Sequence, residues 1–194
     1  MKEIFSYLKP VIITLIIIGL LQVTGLWSGV SATAQMVVLK TGLLNADAEL
    51  KKPIADFDYQ FTLVDLKGNK KSAEDLKGKV VFLNLWATWC GPCKAEMPGI
   101  QNLYLKMKDQ PIEFVMLSVD KAPAQNKVNS YITNKSYSFP VYLLNGAVPE
   151  LLQVPSIPTT FIINKEGKVV LKEVGTRNYD TQKMVKTLSE LAFN

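Results

Sequence analysis

The stretch Val80-Val81-Phe82-Leu83-Asn84-Leu85-Trp86-Ala87-Thr88-Trp89-Cys90-Gly91-Pro92-Cys93 decides how this chain folds. Its first seven residues form an apolar run of strand length interrupted only by Asn84, which reads as a buried strand. Beyond Cys93 the apolar side chains return at helical spacing, at Met97, Ile100, Leu103, Tyr104 and Met107. The two cysteines, the only ones in 194 residues, therefore stand at a strand-to-helix turn. A loop closed over two intervening residues removes little entropy from the unfolded chain, so stapling is a weak reason for the pair. Reversible dithiol/disulfide chemistry is the stronger one.

Downstream, Pro111 ends the helix and Ile112 to Val119 reads as a second strand, giving a βαβ unit with a right-handed crossover and a parallel pair. Ala124 to Asn134 has a helical pattern, Pro140 to Leu144 is a short strand, and Val148 to Val154 is a helical turn. Thr159 to Asn164 and Lys168 to Lys172 form a hairpin through Lys165-Glu166-Gly167. A closing helix carries Met184, Val185, Leu188 and Leu191 on one face, with Asp180 or Thr181 placed to cap it. Upstream, Tyr59 to Val64 is a strand, Lys70-Lys71 opens its return, and Ser72 to Leu76 is one helical turn. Pro98 predicts a kink in the helix after the cysteines.

No charged residue occurs from Pro10 through Leu39, and Val11 to Val30 is long enough to cross a hydrocarbon core of ~30 Å. Lys2 and Lys9 precede that run, which by the positive-inside tendency keeps the N-terminus cytoplasmic and sends the rest across. The small-x-small triplet Ala32-Thr33-Ala34 keeps a cleaved signal peptide open as the alternative. Residues 1–34 are thus expected to be a tail and transmembrane anchor, residues 35–52 a polar stem, and residues 53–194 the catalytic domain.

The net charge of +5 is spread over scattered lysines, with no basic run longer than two, so there is no nucleic-acid footprint. The chain contains no histidine. That removes Cys-His and Ser-His-Asp hydrolysis, histidine-bearing metal sites and haem attachment through CxxCH, where Lys94 stands in the required place. Half a zinc site, or a permanently oxidised bridge, are the remaining structural readings of the cysteine pair.

A thiolate is the attacking species in disulfide exchange, and Cys90 is placed to become one. With the helix starting at Gly91 or Pro92, it lies beside unpaired N–H groups and a dipole end of roughly +0.5 charge. Pro92 suits a first turn, where its missing N–H is no loss. Cys93, one turn in, is expected to be less exposed and to resolve a mixed disulfide.

The Trp89-Cys90-Gly91-Pro92-Cys93 motif after a buried strand resembles thioredoxin. The wider pattern is similar to the extracytoplasmic TlpA/ResA-type thiol:disulfide oxidoreductases: Asp75 to Val81, Asn84 to Pro98, Ile157-Pro158-Thr159-Thr160-Phe161, and Glu166 to Val170. The resemblance implies a thioredoxin-like α/β fold, a central mixed β-sheet flanked by helices, here behind an N-terminal transmembrane helix. It implies a cis Pro158 beside the cysteines, with Ile157 offering backbone groups to a substrate strand. Trp89, Gly91 and Pro92 complete the expected substrate contact. Glu96, three residues beyond Cys93, is the implied acid/base, with a solvated helix glutamate as the alternative. Asn84 departs from thioredoxin, which has a buried aspartate there, so proton transfer to Cys93 falls to Glu96, water or the partner.

The expected activity is disulfide exchange with extracytoplasmic client proteins, needing no cofactor. Gly91-Pro92 matches thioredoxin, near −270 mV, and not DsbA near −120 mV, a gap on the order of 7 kcal/mol for two electrons, so reduction is the expected direction. A DsbD/CcdA-type membrane electron donor and clients in cytochrome c maturation follow from the resemblance, as does a place at the bacterial inner membrane facing the periplasm. A peroxiredoxin-like peroxidase lacks its PxxxTxxC pattern here, and a copper-handling metallochaperone lacks an obvious histidine or methionine ligand nearby.

Overall fold

The computed structural model describes residues 2–23, 35–39, 41–49, 52–121 and 123–193. The strands are β1 (Ala55–Asp56), β2 (Thr62–Asp65), β3 (Lys70–Ser72), β4 (Val80–Trp86), β5 (Ile112–Ser118), β6 (Val141–Asn145), β7 (Thr159–Ile163) and β8 (Lys168–Val174). The helices are α1 (Lys2–Val23), α2 (Gly91–Met107), α3 (Gln125–Asn134) and α4 (Gln182–Phe193), with 3-10 turns at Ala73–Leu76 and Glu150–Leu152. The strands form one mixed sheet in the order β1-β8-β7-β4-β5-β6-β2-β3. β4 pairs parallel with β5, from Val80 opposite Ile112 to Trp86 opposite Ser118, and antiparallel with β7.

β4 is central, and all seven of its residues are buried. Its period of two sends Val80, Phe82 and Trp86 into one cluster and Val81, Leu83 and Leu85 into another. The crossovers β4-α2-β5 and β5-α3-β6 both advance the sheet in the same direction. Being right-handed, they deliver both helices to one face. There Met97, Ile100 and Leu103 of α2, Val128 and Ile132 of α3, and Met184 and Leu188 of α4 share a core with Phe82, Phe114 and Tyr179. Phe82 stacks on Phe114 at 5.0 Å and meets Tyr179 edge-on at 5.3 Å. The opposite face is covered mainly without helices, by Phe57, Tyr59 and Phe61 of the lead-in, Ala73 and Leu76 of one 3-10 turn, and Leu152 of the other. The sheet is thus less evenly flanked than expected.

Residues 35–52 were expected to be a stem, yet the described part of that segment is docked on the domain. Residues 35–39 are helical, and Leu39 is buried with Ala95 of α2. Ala46 N donates to Asn178 O at 3.0 Å, and Asn178 N donates to Leu44 O at 2.7 Å. Thr187 Oγ1 of α4 donates to Ala48 O at 2.7 Å. The physical reason is that alanines at 46 and 48 let this backbone lie close against α4, so hydrogen bonds hold a segment whose polarity reads as linker.

The expected membrane span begins inside α1, where Val11, Ile12, Ile13, Leu15, Ile16, Ile17 and Leu20 are exposed. Among the described residues no helix is long and apolar enough to cross a membrane. The second part of that span, residues 24–30, and Ala32-Thr33-Ala34 lie outside the described residues.

Phe82 sits in the core between β4 and the helices, with aromatic neighbours on two sides. Phe82→Ala is expected to cost about 3–5 kcal/mol of stability, measured by urea denaturation of the full chain.

Candidate active site

The end of β4 and the start of α2 are set by a short loop that two polar groups hold. Thr88 donates from N at 2.7 Å and from Oγ1 at 2.6 Å to the carboxylate of Asp120, just beyond β5, which also accepts from Ser118 Oγ at 2.9 Å. Cys90 N then donates to Ala87 O, closing a turn. Cys90 is the N-cap residue of α2, extended at φ −83°, ψ 105°, and its Sγ accepts from Cys93 N at 3.1 Å. Pro92 occupies the first turn, as expected. The sulfurs of Cys90 and Cys93 are joined in a disulfide. Cys93 is fully buried, whereas Cys90 retains 5% exposure.

The Ile157-Pro158 bond is cis. The Ile157 carbonyl oxygen lies 3.8 Å from Cys90 Sγ. Gly175 N donates to Pro158 O at 2.8 Å, which ties this corner to the start of the β7–β8 pair. Trp89 is 60% exposed beside Cys90, while Trp86 is buried in the core. The sequence-derived set Trp89, Cys90, Gly91, Pro92, Cys93, Ile157 and Pro158 thus converges on one end of the sheet. Glu96 is brought under it from inside.

Glu96 is only 1% exposed, which sets aside a solvated helix glutamate. Its Oε1 accepts from Asn84 Nδ2 at 2.7 Å and its Oε2 from Arg177 N at 3.1 Å. Burial dominates those two bonds and pushes the carboxyl up to about 8. Asn84 Nδ2 also donates to Thr160 Oγ1 at 2.9 Å, across the β4–β7 pair. The phenol of Tyr179 is buried and raised well above its ordinary value, first by burial and then by the Glu96 charge. A buried carboxyl that holds its proton near neutral pH therefore lies one helical turn beyond Cys93 on α2.

Sequence reading missed several of these groups. Arg177, the only arginine, supplies a backbone N–H to Glu96 while its Nε donates to Glu173 at 2.9 Å. Thr88, Ser118 and Asp120 were also missed, although an acid just past the end of a parallel strand is a readable sign. Thr160 and Tyr179 face Glu96 only because β7 and the approach to α4 lie beside β4.

A CxxC pair at a helix N-terminus, facing a cis-proline across the end of a mixed sheet, defines the thioredoxin-like class of disulfide-exchanging proteins. A sequence profile described as Redoxin matches residues 51–188. The thiol-disulfide oxidoreductase ResA of a Bacillus cereus strain is 40% identical over 131 residues, covering 67% of this chain and 74% of that one. ResA of Bacillus subtilis (strain 168) is 42% identical over 117 residues, 60% of this chain and 64% of the relative. Among solved structures, StoA from Bacillus subtilis superposes with a TM-score of 0.53 at 26% identity, over 65% of this chain and 95% of that one. A thioredoxin-family thiol:disulfide interchange protein from Chlorobium tepidum TLS gives 0.55 at 28% identity, over 74% and 99%. The chain belongs to the redoxin family, within its TlpA/ResA-type thiol-disulfide oxidoreductases.

The raised carboxyl of Glu96 has a stability signature. Below about pH 4.5 the group is protonated in folded and unfolded chains alike; from there to about pH 8 only the unfolded chain releases the proton. The native state then binds more protons, so its stability falls as pH rises through that window and levels off above it. Denaturation of the oxidised chain at stepped pH is expected to show this fall in wild type and a shallower one in Glu96→Gln, the difference growing to a few kcal/mol.

Proposed function

We propose that the thiol:disulfide exchange of this family runs here in the reducing direction, on client proteins outside the cytoplasm, from a chain anchored by its N-terminal helix. The asymmetry of the two sulfurs carries the chemical reading: Cys90 reaches the surface with a backbone N–H on its sulfur, and Cys93 lies behind it. In the reduced protein the Cys90 thiolate attacks one sulfur of a client disulfide. The client S–S bond breaks, a Cys90–client mixed disulfide forms, and the other client sulfur leaves as a thiolate that takes up a proton. Cys93, losing its proton to water or to the ionised fraction of Glu96, attacks Cys90 Sγ; the Cys90–client bond breaks and the second client sulfur leaves as a thiolate that takes up a proton. Two electrons pass from protein to client, leaving Cys90–Cys93 oxidised, and the client thiolates take their two protons from the surrounding water.

A client strand paired with the Ile157 backbone would run alongside Cys90, whose Sγ lies 3.8 Å from the Ile157 carbonyl oxygen. The reducing direction is supported by Gly91-Pro92 between the cysteines. Re-reduction then requires a dithiol donor, which we place in the DsbD/CcdA type, and cytochrome c maturation is the client pathway that the family resemblance implies. The anchor is supported by the apolar residues exposed along α1 and by Lys2 and Lys9.

Cys93→Ala expressed in the native membrane is expected to accumulate disulfide-linked clients on Cys90, identifiable by mass spectrometry. Recovering none while wild type remains active would sink the mechanism. Because the chain has no other cysteines, orientation is directly readable. A membrane-impermeant maleimide added to reduced, intact spheroplasts is expected to label the wild type and not Cys90→Ala/Cys93→Ala, and an unlabelled wild type would place the domain on the wrong side.

A further inference from the structure

We propose that Lys121 and Lys127, which line a cavity with the exposed Trp89, together with Lys94 and Lys135 around the adjoining helix α3, form a docking surface for client segments that carry acidic residues next to their disulfide. This rests on the disulfide-exchange reading and adds to it the chemistry of the substrate.

The insert between β5 and the second 3-10 turn is electrically one-sided. From Lys121 through Pro149 it contains three lysines and no aspartate or glutamate. Folding brings this insert against the cysteine loop. A cavity of about 420 Å³ opens there, lined by Trp89, Val119, Asp120, Lys121, Ala124 and Lys127 among others. Trp89, 60% exposed, immediately precedes Cys90 and forms its wall.

Lys94, the residue after Cys93, reaches from α2 to the helix that carries Lys127. Its ammonium lies 5.6 Å from the centre of the Tyr131 ring on α3. Burial lowers its proton affinity first, Lys127 and Lys135 lower it further, and Asp120 opposes them. The positive charges are therefore close enough to feel one another.

Among the described residues Asp120 is the one carboxylate lining this cavity, and it is already engaged. Its oxygens accept from Thr88 N, Thr88 Oγ1 and Ser118 Oγ, while Lys127 Nζ stands 4.0 Å away. Only 4% of the Asp120 side chain is exposed. One buried, hydrogen-bonded carboxylate does not balance four lysines, so the surface keeps a cationic surplus. Exposed charge of this kind acts mainly on association rate and orientation. The aromatic wall would take an apolar client side chain while the lysines select acidic neighbours.

The test uses the reduced full chain in phosphatidylcholine nanodiscs and two peptides with the same disulfide loop, one flanked by four glutamates and one by four lysines. The kcat/KM ratio between them cancels any change in intrinsic chemistry. At low ionic strength the glutamate peptide is expected to be favoured about tenfold, with the ratio shrinking as salt shortens the Debye length to about 3 Å near 1 M. Lys127→Glu/Lys135→Glu is expected to bring the ratio close to one. A wild-type ratio near one, or a ratio unmoved by the double substitution, overturns the proposal. A ratio lost only in phosphatidylglycerol nanodiscs would assign these lysines to the lipid surface and overturn it as well. Turnover of uncharged bis(2-hydroxyethyl) disulfide separates the levels: if it proceeds while the peptide ratio is flat, only the docking surface fails, and if it is absent, the exchange reading fails too.

Discussion

The active end of this protein depends on one hydrogen-bonded junction, the two donors of Thr88 held on the carboxylate of Asp120. That contact ties the loop after β4 to the end of β5, so α2 must begin where it does. With α2 fixed, Cys90 falls at its N-cap and its sulfur meets the Cys93 N–H. A sulfur at that position has helical N–H groups before it and protein behind it, the arrangement that stabilises a thiolate. The cis corner at Ile157-Pro158, bound to Gly175 through the Pro158 carbonyl, supplies the facing wall.

Beneath the cysteines the protein keeps an ionisable group where a hydrophobic residue would pack more cheaply. Glu96 receives two hydrogen bonds, from Asn84 and from the Arg177 backbone, and burial still outweighs them. Asn84 thereby donates to the Glu96 carboxyl. The buried carboxyl of this region belongs to α2 and not to β4, where Asn84 stands. Arg177 contributes through its backbone while its guanidinium engages Glu173.

The N-terminal segment adds a second layer to this arrangement. Leu39 packs on Ala95, the neighbour of Glu96, and Ala46 and Ala48 lie against the loop and helix at the C-terminal end. A segment of stem-like composition thus covers the side of α2 that carries the acid. Its attachment relies on backbone hydrogen bonds to Asn178 and on a Thr187 hydroxyl, interactions that place few demands on side-chain type.

Local pattern was enough to read the strand at Val80–Trp86, the helix after Cys93, the parallel crossover and the terminal hairpin, since periodicity and turn chemistry act over a few residues. It also located Cys90 and Cys93, whose chemistry is written in residue type and spacing, whereas Pro158 was pointed to by the family resemblance. The burial of Glu96, the Asp120 clamp, the docking of residues 35–39 and 41–49 and the gathering of lysines beside Trp89 were decided by tertiary structure alone. Each joins groups separated by many residues, and the energy of a charge or polar group depends on what surrounds it in space, which no local pattern specifies.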